Sequence, residues 1–505
     1  MTATEPGKAR MTRMAPDDPH ATGLRLADPT LLRDRCLIGG AWTGVPRLSV
    51  RDPASGVAIG AVPDLGAVEA QAAVEAARSA FPAWSGLTAE TRAAVLRRWQ
   101  QAISTHKADL AQILTREQGK PLAEALAEVE YAASFVGFYA EEGRRLYGET
   151  IPAPRADARI LVLRQPVGVA AAITPWNFPA AMVTRKVAPA MAVGCAVVLK
   201  PAPETPLTAL ALAALAERAG VPPGVFNVVT GDAGAIGRVL TEHPAVRAVS
   251  FTGSTEVGKL LMRQAASTVK KLALELGGNA PFIVFDDADL EAAADGCLES
   301  KFRNAGQTCV CANRIYVHEP VYAPFLARLL ARTAALKVGR GLEPGVHIGP
   351  LISEAAVAKV ERHIADAVAK GAQVRLGGGR HALGGRFFSP TVLSDMSEDM
   401  AISCEETFGP VAAVYRVRDE ADALAQANAT PYGLAAYVYA RDLGRVVRMA
   451  EGLETGMVGV NAAKLGADVA PFGGVKQSGL GREGSRHGLE EFTELKYVLL
   501  GGLAS

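Results

Sequence analysis

Six short apolar runs between residues 169 and 285 constrain this chain more than any other feature. They are VAAAIT (169–174), AVVLK (196–200), FNVV (226–229), AVSF (248–251), LALEL (272–276) and PFIVF (281–285). None alternates apolar with polar residues along its length, so each reads as a strand covered on both faces. The intervening segments predict helices over 179–193, 206–219, 233–241 and 255–268. Strands separated by helices make a parallel sheet in an α/β fold. The rhythm restarts after 289, with helices near 289–303, 320–335 and 353–370, and this second α/β block ends near 460.

Upstream, apolar residues at helical spacing predict helices over 65–85, 88–118 and 121–146. The segment 148–166 differs: the β-rich ARILVLRQPVG follows the turn-like PAPRADA and reads as a projecting hairpin. LKYVLL at 495–500 is a lone terminal strand, and its partner could come from another subunit. Residues 1–25 are polar with Pro and Gly and read as a tail.

Charge excludes several functions. Lys and Arg number 53 against 52 Asp and Glu, a net +1 that gives no bulk attraction to nucleic acid or acidic membrane. Six cysteines in 505 residues, at 36, 195, 297, 309, 311 and 404, are too few for a disulfide scaffold. They form no CxxC pair, and no metal site is expected. The N-terminus lacks the apolar core of a secretory signal. No apolar run reaches the ~18–20 residues of a membrane span. A cytoplasmic protein is the expectation.

Four local motifs could carry chemistry, each with a plainer alternative. FTGSTEVGK sets Gly253 and Gly258 between a strand and a helix N-terminus, where backbone N–H groups can hold phosphate. It could equally be a tight strand–helix turn. A phosphate-loop hydrolase is a competing reading, but Leu260 occupies the position of the Mg²⁺-binding hydroxyl. NAGQTCVCANR holds Cys309 and Cys311 among small polar residues, which suits an accessible nucleophile or a pair of inert thiols. A bridge between these two cysteines would require the loop to bend. LALELGG ends a strand on Glu275, either a desolvated general base or a carboxylate paired with a cation. TPWNFP carries Asn177 at a strand–helix junction, as an oxyanion donor or a helix cap.

Taken in order, these motifs resemble the aldehyde dehydrogenase superfamily from about residue 35 to the C-terminus. The resemblance rests on TPWNFP (174–179), Lys200-Pro201, FTGS (251–254), ELGG (275–278), GQTC (306–309), ETFGP (406–410) and PFGG (471–474). SKFRNAGQTCVCANR and PFGGVKQSGLGREGS are most similar to the succinate-semialdehyde dehydrogenase branch. The resemblance implies that Cys309 attacks an aldehyde, that Asn177 and the Cys309 N–H hold the oxyanion, and that Glu275 activates water against the thioester. Lys186 and Glu483 would lie nearby, pairing or relaying protons. The cofactor would be held by Thr174, Pro175, Trp176, Lys200, Pro203, Gly231, Phe251, Gly253, Ser254, Gly277, Glu406 and Phe408. Among these, Trp176 and Lys200 would line the adenosine side, Ser254 the pyrophosphate, Glu406 the nicotinamide ribose and Phe408 the ring. A non-catalytic homologue remains an alternative, though one that an intact Cys309, Glu275 and Asn177 set disfavours.

The implied fold is α/β, with a Rossmann-like cofactor domain, an α/β catalytic domain and a projecting β element for oligomerisation. The expected division is a tail at 1–25, a cofactor domain from 26–147 and 167–278, a catalytic domain at 279–480, and an oligomerisation element from 148–166 and 481–505. A homodimer or homotetramer would follow. NAD-preferring members often carry Glu three residues after the Lys of the KP motif, where this chain has Pro203 followed by Glu204. That implies use of NADP at least as well as NAD. The branch grips the far carboxylate of its substrate with arginines, here Arg185 and Arg303, near Phe472, and adds a serine where this chain has Gly466. Succinate semialdehyde is the expected substrate, with glutarate semialdehyde or a broader range of aldehydes as the alternative.

Overall fold

The computed structural model describes residues 24–503, so the N-terminal tail lies outside the described residues except for Leu24 and Arg25. Five parallel strands form the centre of the first sheet. In spatial order they are Phe226–Val228, Ala196–Lys200, Val169–Ile173, Val246–Thr252 and Lys271–Glu275. By chain order this is 3-2-1-4-5, the doubly wound Rossmann-like arrangement. Every residue of Val169–Ile173 and Ala196–Lys200 is buried, which is why neither run alternates. The strand order reverses between Val169–Ile173 and Val246–Thr252, where such sheets take ligands at the carboxyl ends of the strands.

The sheet is extended at both edges by segments that the apolar runs do not reveal. Cys36–Ile38 and Ala41–Thr43 form an antiparallel hairpin across Gly39 and Gly40, both at positive φ (+61° and +85°). Pro46–Arg51 and Ala58–Pro63 form a second hairpin. At the other edge Gly479–Leu480 pairs antiparallel with Lys271–Glu275. The sequence reading assigned 479–480 to the catalytic block, but this strand belongs to the first sheet. Gly479 makes the pairing possible: its φ is +141°, and a Cβ there would lie 1.9 Å from the Leu274 carbonyl oxygen.

The second sheet runs Gln373–Leu376, Thr391–Ser394, Val411–Val417, Ala312–His318, Ala280–Val284, Ala435–Tyr439 and Met457–Val460, all parallel except the first. The helices fall close to their predicted spans, with one break. The stretch 88–118 is two helices, Ala89–Thr105 and Lys107–Gln118. His106 leaves helical geometry between them (φ −98°, ψ 21°), and its Nδ1 lies 2.8 Å from the Ala102 carbonyl.

The terminal strand finds its partner within its own chain. Thr493–Leu500 pairs antiparallel with Arg159–Pro166, which pairs in turn with Glu149–Ile151. The hairpin thus becomes a three-stranded sheet, and no second subunit is needed to satisfy the strand. Among the described residues no helix is long and apolar enough to cross a membrane.

Candidate active site

Glu275 is the last residue of its strand, flanked by Thr252 on one side and Gly479 on the other. Five residues later the chain enters the second sheet at Ala280. The two glycines in this crossing are sterically required. A Cβ on Gly277 would lie 2.9 Å from Glu406 Oε2, and one on Gly278 would lie 2.6 Å from the Cys309 carbonyl oxygen. Cys309 arrives from the opposite direction. After the helix Leu290–Phe302, residues Asn304, Ala305 and Gly306 take φ values of +51°, +56° and +74°. For Asn304 and Ala305 this conformation costs roughly 1–2 kcal/mol each, strain of the kind that collects at functional turns. The turn leaves Cys309 partly exposed, while Cys311 is buried with its Sγ 3.4 Å from the Lys301 carbonyl.

Asn177 is buried. Its Nδ2 donates to the Gln307 carbonyl at 3.2 Å, which ties it two residues from Cys309. Its own carbonyl accepts from Lys120 Nζ (2.8 Å) and Asn304 Nδ2 (3.1 Å). One N–H of the amide is left over, as an oxyanion donor requires. Asn177 is not the side-chain cap of the following helix. Glu128 Oε1 takes the first amides there, Ala180 (2.9 Å) and Ala181 (3.3 Å).

Glu275, Glu483, Lys186 and Arg185 form a buried charge group. Lys186 Nζ donates to Glu483 Oε1 and to Ser250 Oγ (3.1 Å). Arg185 lies 2.7 Å from Glu483 Oε2. Burial alone would raise the Glu483 carboxyl, but these two cations hold it below the usual range. Glu275 goes the other way: burial, reinforced by the Glu483 charge, pushes its pKa well above that of an ordinary carboxylate. Its Oε2 is buried with no hydrogen-bond partner among the described residues. Such a raised carboxyl is a stronger proton acceptor than an ordinary exposed carboxylate. Burial likewise pushes the Cys309 thiol up to about 12, with the Glu406 charge adding to the effect.

Arg185 and Phe472, expected at the substrate, are buried against each other, with the guanidinium 4.1 Å over the Phe472 ring. Arg303 is different. It stacks 4.8 Å over Phe178 and faces a cleft of about 770 Å³ shared with Tyr131, Lys464 and Gly466. Cys309, Glu275 and Asn177 do not line that cleft.

Of the residues assigned to the cofactor, Thr174, Lys200, Gly231 and Gly253 lie at or just beyond the carboxyl ends of first-sheet strands, whereas Glu406 and Phe408 precede Val411–Val417 of the second sheet. Thr174 ends one central strand and donates its N–H to the Lys200 carbonyl at 3.1 Å. Lys200 Nζ is buried and donates to the Pro201 carbonyl (3.0 Å); burial lowers its pKa, while Glu204 and Asp232 oppose that shift. Pro175 is half-buried, and Pro203 is exposed. At the end of the neighbouring strand a Cβ on Gly253 would meet the Phe251 ring at 2.4 Å. Ser254 caps the helix Thr255–Ala265 by accepting from the Val257 N–H. Gly231, at φ +132°, packs against the Leu65 backbone, where a Cβ would fall 2.1 Å from oxygen. Lys259, the lysine of the phosphate-loop reading, is tied to Gln477 Oε1 at 2.8 Å. Burial pushes Glu406 up to about 8. Trp176, read as lining the adenosine side, packs edge to face on Phe408 with ring centroids 5.5 Å apart.

Comparison with known proteins agrees with this geometry. The sequence matches the aldehyde dehydrogenase family over residues 42–498. The chain belongs to the aldehyde dehydrogenase family. It is 58% identical to the succinate-semialdehyde dehydrogenase [NADP(+)] GabD of Escherichia coli, over 95% of this chain and all of that protein. It is 57% identical to a glutarate-semialdehyde dehydrogenase of Pseudomonas aeruginosa, with the same coverage. It is 58% identical to a 3-sulfolactaldehyde dehydrogenase of Pseudomonas putida, over 95% of this chain and 99% of that protein. A crystal structure of an E. coli NADP dependent enzyme superposes with a TM-score of 0.94 at 58% identity, covering 94% of this chain and 100% of that one.

For an aldehyde dehydrogenase the sequence reading missed one supporting group. Lys120 is fully buried, paired with Glu128 at 2.5 Å and stacked 3.8 Å over the Phe178 ring, and it holds the Asn177 carbonyl. Nothing local marks it, since its partners lie up to 57 residues away. A lysine between Gly119 and Pro121 reads as an exposed turn residue.

Proposed function

We propose that this aldehyde dehydrogenase oxidises short acidic aldehydes, succinate semialdehyde foremost, to the carboxylate with NADP, through a thioester on Cys309. The carrying observation is the convergence of Cys309, Asn177 and Glu275 where the chain crosses from one sheet to the other. Cys309 gives up its proton to water and attacks the aldehyde carbon as the thiolate, and the free Asn177 N–H and the Cys309 backbone N–H receive the oxyanion. When bound, the nicotinamide supplies the hydride acceptor. Glu275 then removes a proton from water, which attacks the thioester and releases Cys309.

The switch-point residues suit a dinucleotide. Gly253 packs against the Phe251 ring with no space for a Cβ, and a capped helix N-terminus stands beside it. Lys200 would take the adenosine side, Ser254 and the helix N-terminus the pyrophosphate, and Glu406 the nicotinamide ribose. Pro203 carries no charge to repel a 2′-phosphate, and the E. coli relative is named for NADP(+).

Arg303 supports the acidic substrate, because it is a guanidinium in a cleft that makes no ion pair within 4.0 Å among the described residues, with the Glu124 charge acting on it from further off. A glutarate-semialdehyde reading is favoured by the P. aeruginosa relative. The test is a kcat/KM panel of succinate semialdehyde, glutarate semialdehyde, butyraldehyde and benzaldehyde, repeated on Arg303→Ala. An acidic preference of at least about tenfold that Arg303→Ala removes is expected. Equal use of neutral aldehydes by the parent would overturn the reading.

Thr493–Leu500 is an edge strand with Leu495, Tyr497 and Leu499 more than half exposed. We infer that this edge joins copies of the chain into a dimer or tetramer. Light scattering of the parent and of Tyr497→Lys tests it.

A further inference from the structure

The cleft beside Arg303 contains a second polar group that the mechanism leaves unused. Tyr131 sits on the helix Leu122–Glu142, and its hydroxyl oxygen is buried with no hydrogen-bond partner among the described residues. A buried hydroxyl in that state requires an explanation. The ring is fixed edge-on against Phe135, with centroids 4.7 Å apart, so the hydroxyl has a set position.

The other charged groups of the cleft are already engaged. Glu128 is bound by Lys120, Glu299 by Lys464 (2.6 Å), and Asp295 by Arg332. Glu124 accepts the Asn304 N–H at 2.9 Å. Arg303 has its stacking contact with Phe178 and no hydrogen bond or ion pair among the described residues. The cleft therefore offers one guanidinium and one phenol, both donors, neither hydrogen-bonded to an acceptor among the described residues, with the Glu124 charge acting on Arg303. That combination suits an anionic oxygen ligand.

Gly466 packs directly against the phenol. A Cβ at this position would lie 2.8 Å from the Tyr131 hydroxyl oxygen. A side chain at 466 would have to push the phenol aside, so glycine at 466 and the phenol at 131 fit together. The missing hydroxyl at 466 leaves the cleft with a donor all the same.

We propose that the Tyr131 hydroxyl is a specificity-determining ligand of the substrate's far carboxylate, donating to it beside Arg303 from a position that the absence of a side chain at Gly466 permits. The proposal rests on the acidic-aldehyde reading above. Burial raises the pKa of the phenol, so it remains a donor at neutral pH.

The test uses the full-length enzyme with NADP and compares succinate semialdehyde with butyraldehyde, a neutral aldehyde of the same carbon count. Tyr131→Phe keeps the ring and removes only the donor. It is expected to raise KM for succinate semialdehyde by about tenfold, the effect of one hydrogen bond to a charged group, with kcat within about twofold. Inhibition by succinate should weaken by the same factor, and butyraldehyde kinetics should not change. Gly466→Ser should impair succinate semialdehyde use in the parent, because its Cβ meets the phenol. In the Tyr131→Phe background the added hydroxyl has room, and Gly466→Ser should recover at least about threefold of the loss. If the parent prefers the acidic aldehyde and Tyr131→Phe leaves that preference intact, the inference is overturned while the acidic-aldehyde reading stands. A parallel rise in KM for both aldehydes would also overturn it, since the ring edge would then be mere packing. A parent with no acidic preference would bring down the functional reading and this inference together.

Discussion

The α-carbon of Gly278 packs so closely on Cys309 that a Cβ there would lie 2.6 Å from the Cys309 carbonyl oxygen. The crossing between the sheets thus sets the height of the nucleophile. Gly278→Ala should push the Cys309 backbone away, since Leu434 blocks the other side at 3.2 Å. A displacement of about 1 Å costs about 10²-fold in rate. The expected result is a kcat loss of that order with the affinity for NADP, measured by fluorescence titration, within about threefold. Normal turnover would show that the two backbones are not rigidly coupled.

Cys309→Ala should abolish oxidation while cofactor binding persists. Cys311 offers no replacement, because it is buried and faces the Lys301 carbonyl. Glu275→Gln should keep a burst of reduced cofactor and lose steady-state turnover by at least about 10²-fold, the share of a general base. Stopped-flow absorbance separates the two phases. A burst lost along with turnover would mean that Glu275 also serves the acylation step.

Activity should rise with pH on its alkaline side. Below its raised pKa Glu275 is protonated and cannot take a proton from water, and above it the base is available. Glu483 contributes to that rise by repulsion. Glu483→Gln removes one negative charge and leaves Lys186 and Arg185 facing Glu275, so its pKa should fall. The deacylation limb should then move to lower pH by about one unit, a shift of the size one nearby charge produces. Movement to higher pH would refute the assigned coupling.

NADP should give a kcat/KM at least equal to that with NAD. Pro203→Glu would set a carboxylate beside the 2′-phosphate and should lower NADP use by about tenfold, leaving NAD use nearly unchanged. A strong preference for NAD in the parent would show that Glu204 already occupies the ribose.

Glu275, Cys309 and Asn177 were legible because each lies in a short segment whose glycines and prolines mark a turn at a strand or helix end. The parallel strands were legible because burial on both faces leaves an unbroken apolar run. Other features had no local trace. The hairpin Cys36–Ile38 and Ala41–Thr43 is too short to show a pattern. The break at His106 depends on one ring nitrogen reaching a carbonyl four residues back. Lys120 acquires its role from the Asn177 carbonyl, and Tyr131 becomes informative only when Gly466 is found opposite its hydroxyl. Arg185 was expected, from the resemblance, to grip the substrate carboxylate. Its burial against Phe472 was not, because that follows from the long-range pair with Glu483.

Gly479–Leu480 closes the edge of the first sheet, and Glu483 neutralises Lys186 across 297 residues of chain. Both come from nearly the last part of the chain to leave the ribosome. During synthesis, Lys186 and Arg185 sit in a half whose counter-ion has not yet been made, and an unpaired buried charge costs about 3–5 kcal/mol. The first sheet, although most of it is translated early, therefore gains its full stability only when residues 479–483 are present, and a chain cut short before residue 479 leaves its N-terminal half without both an edge strand and a charge partner.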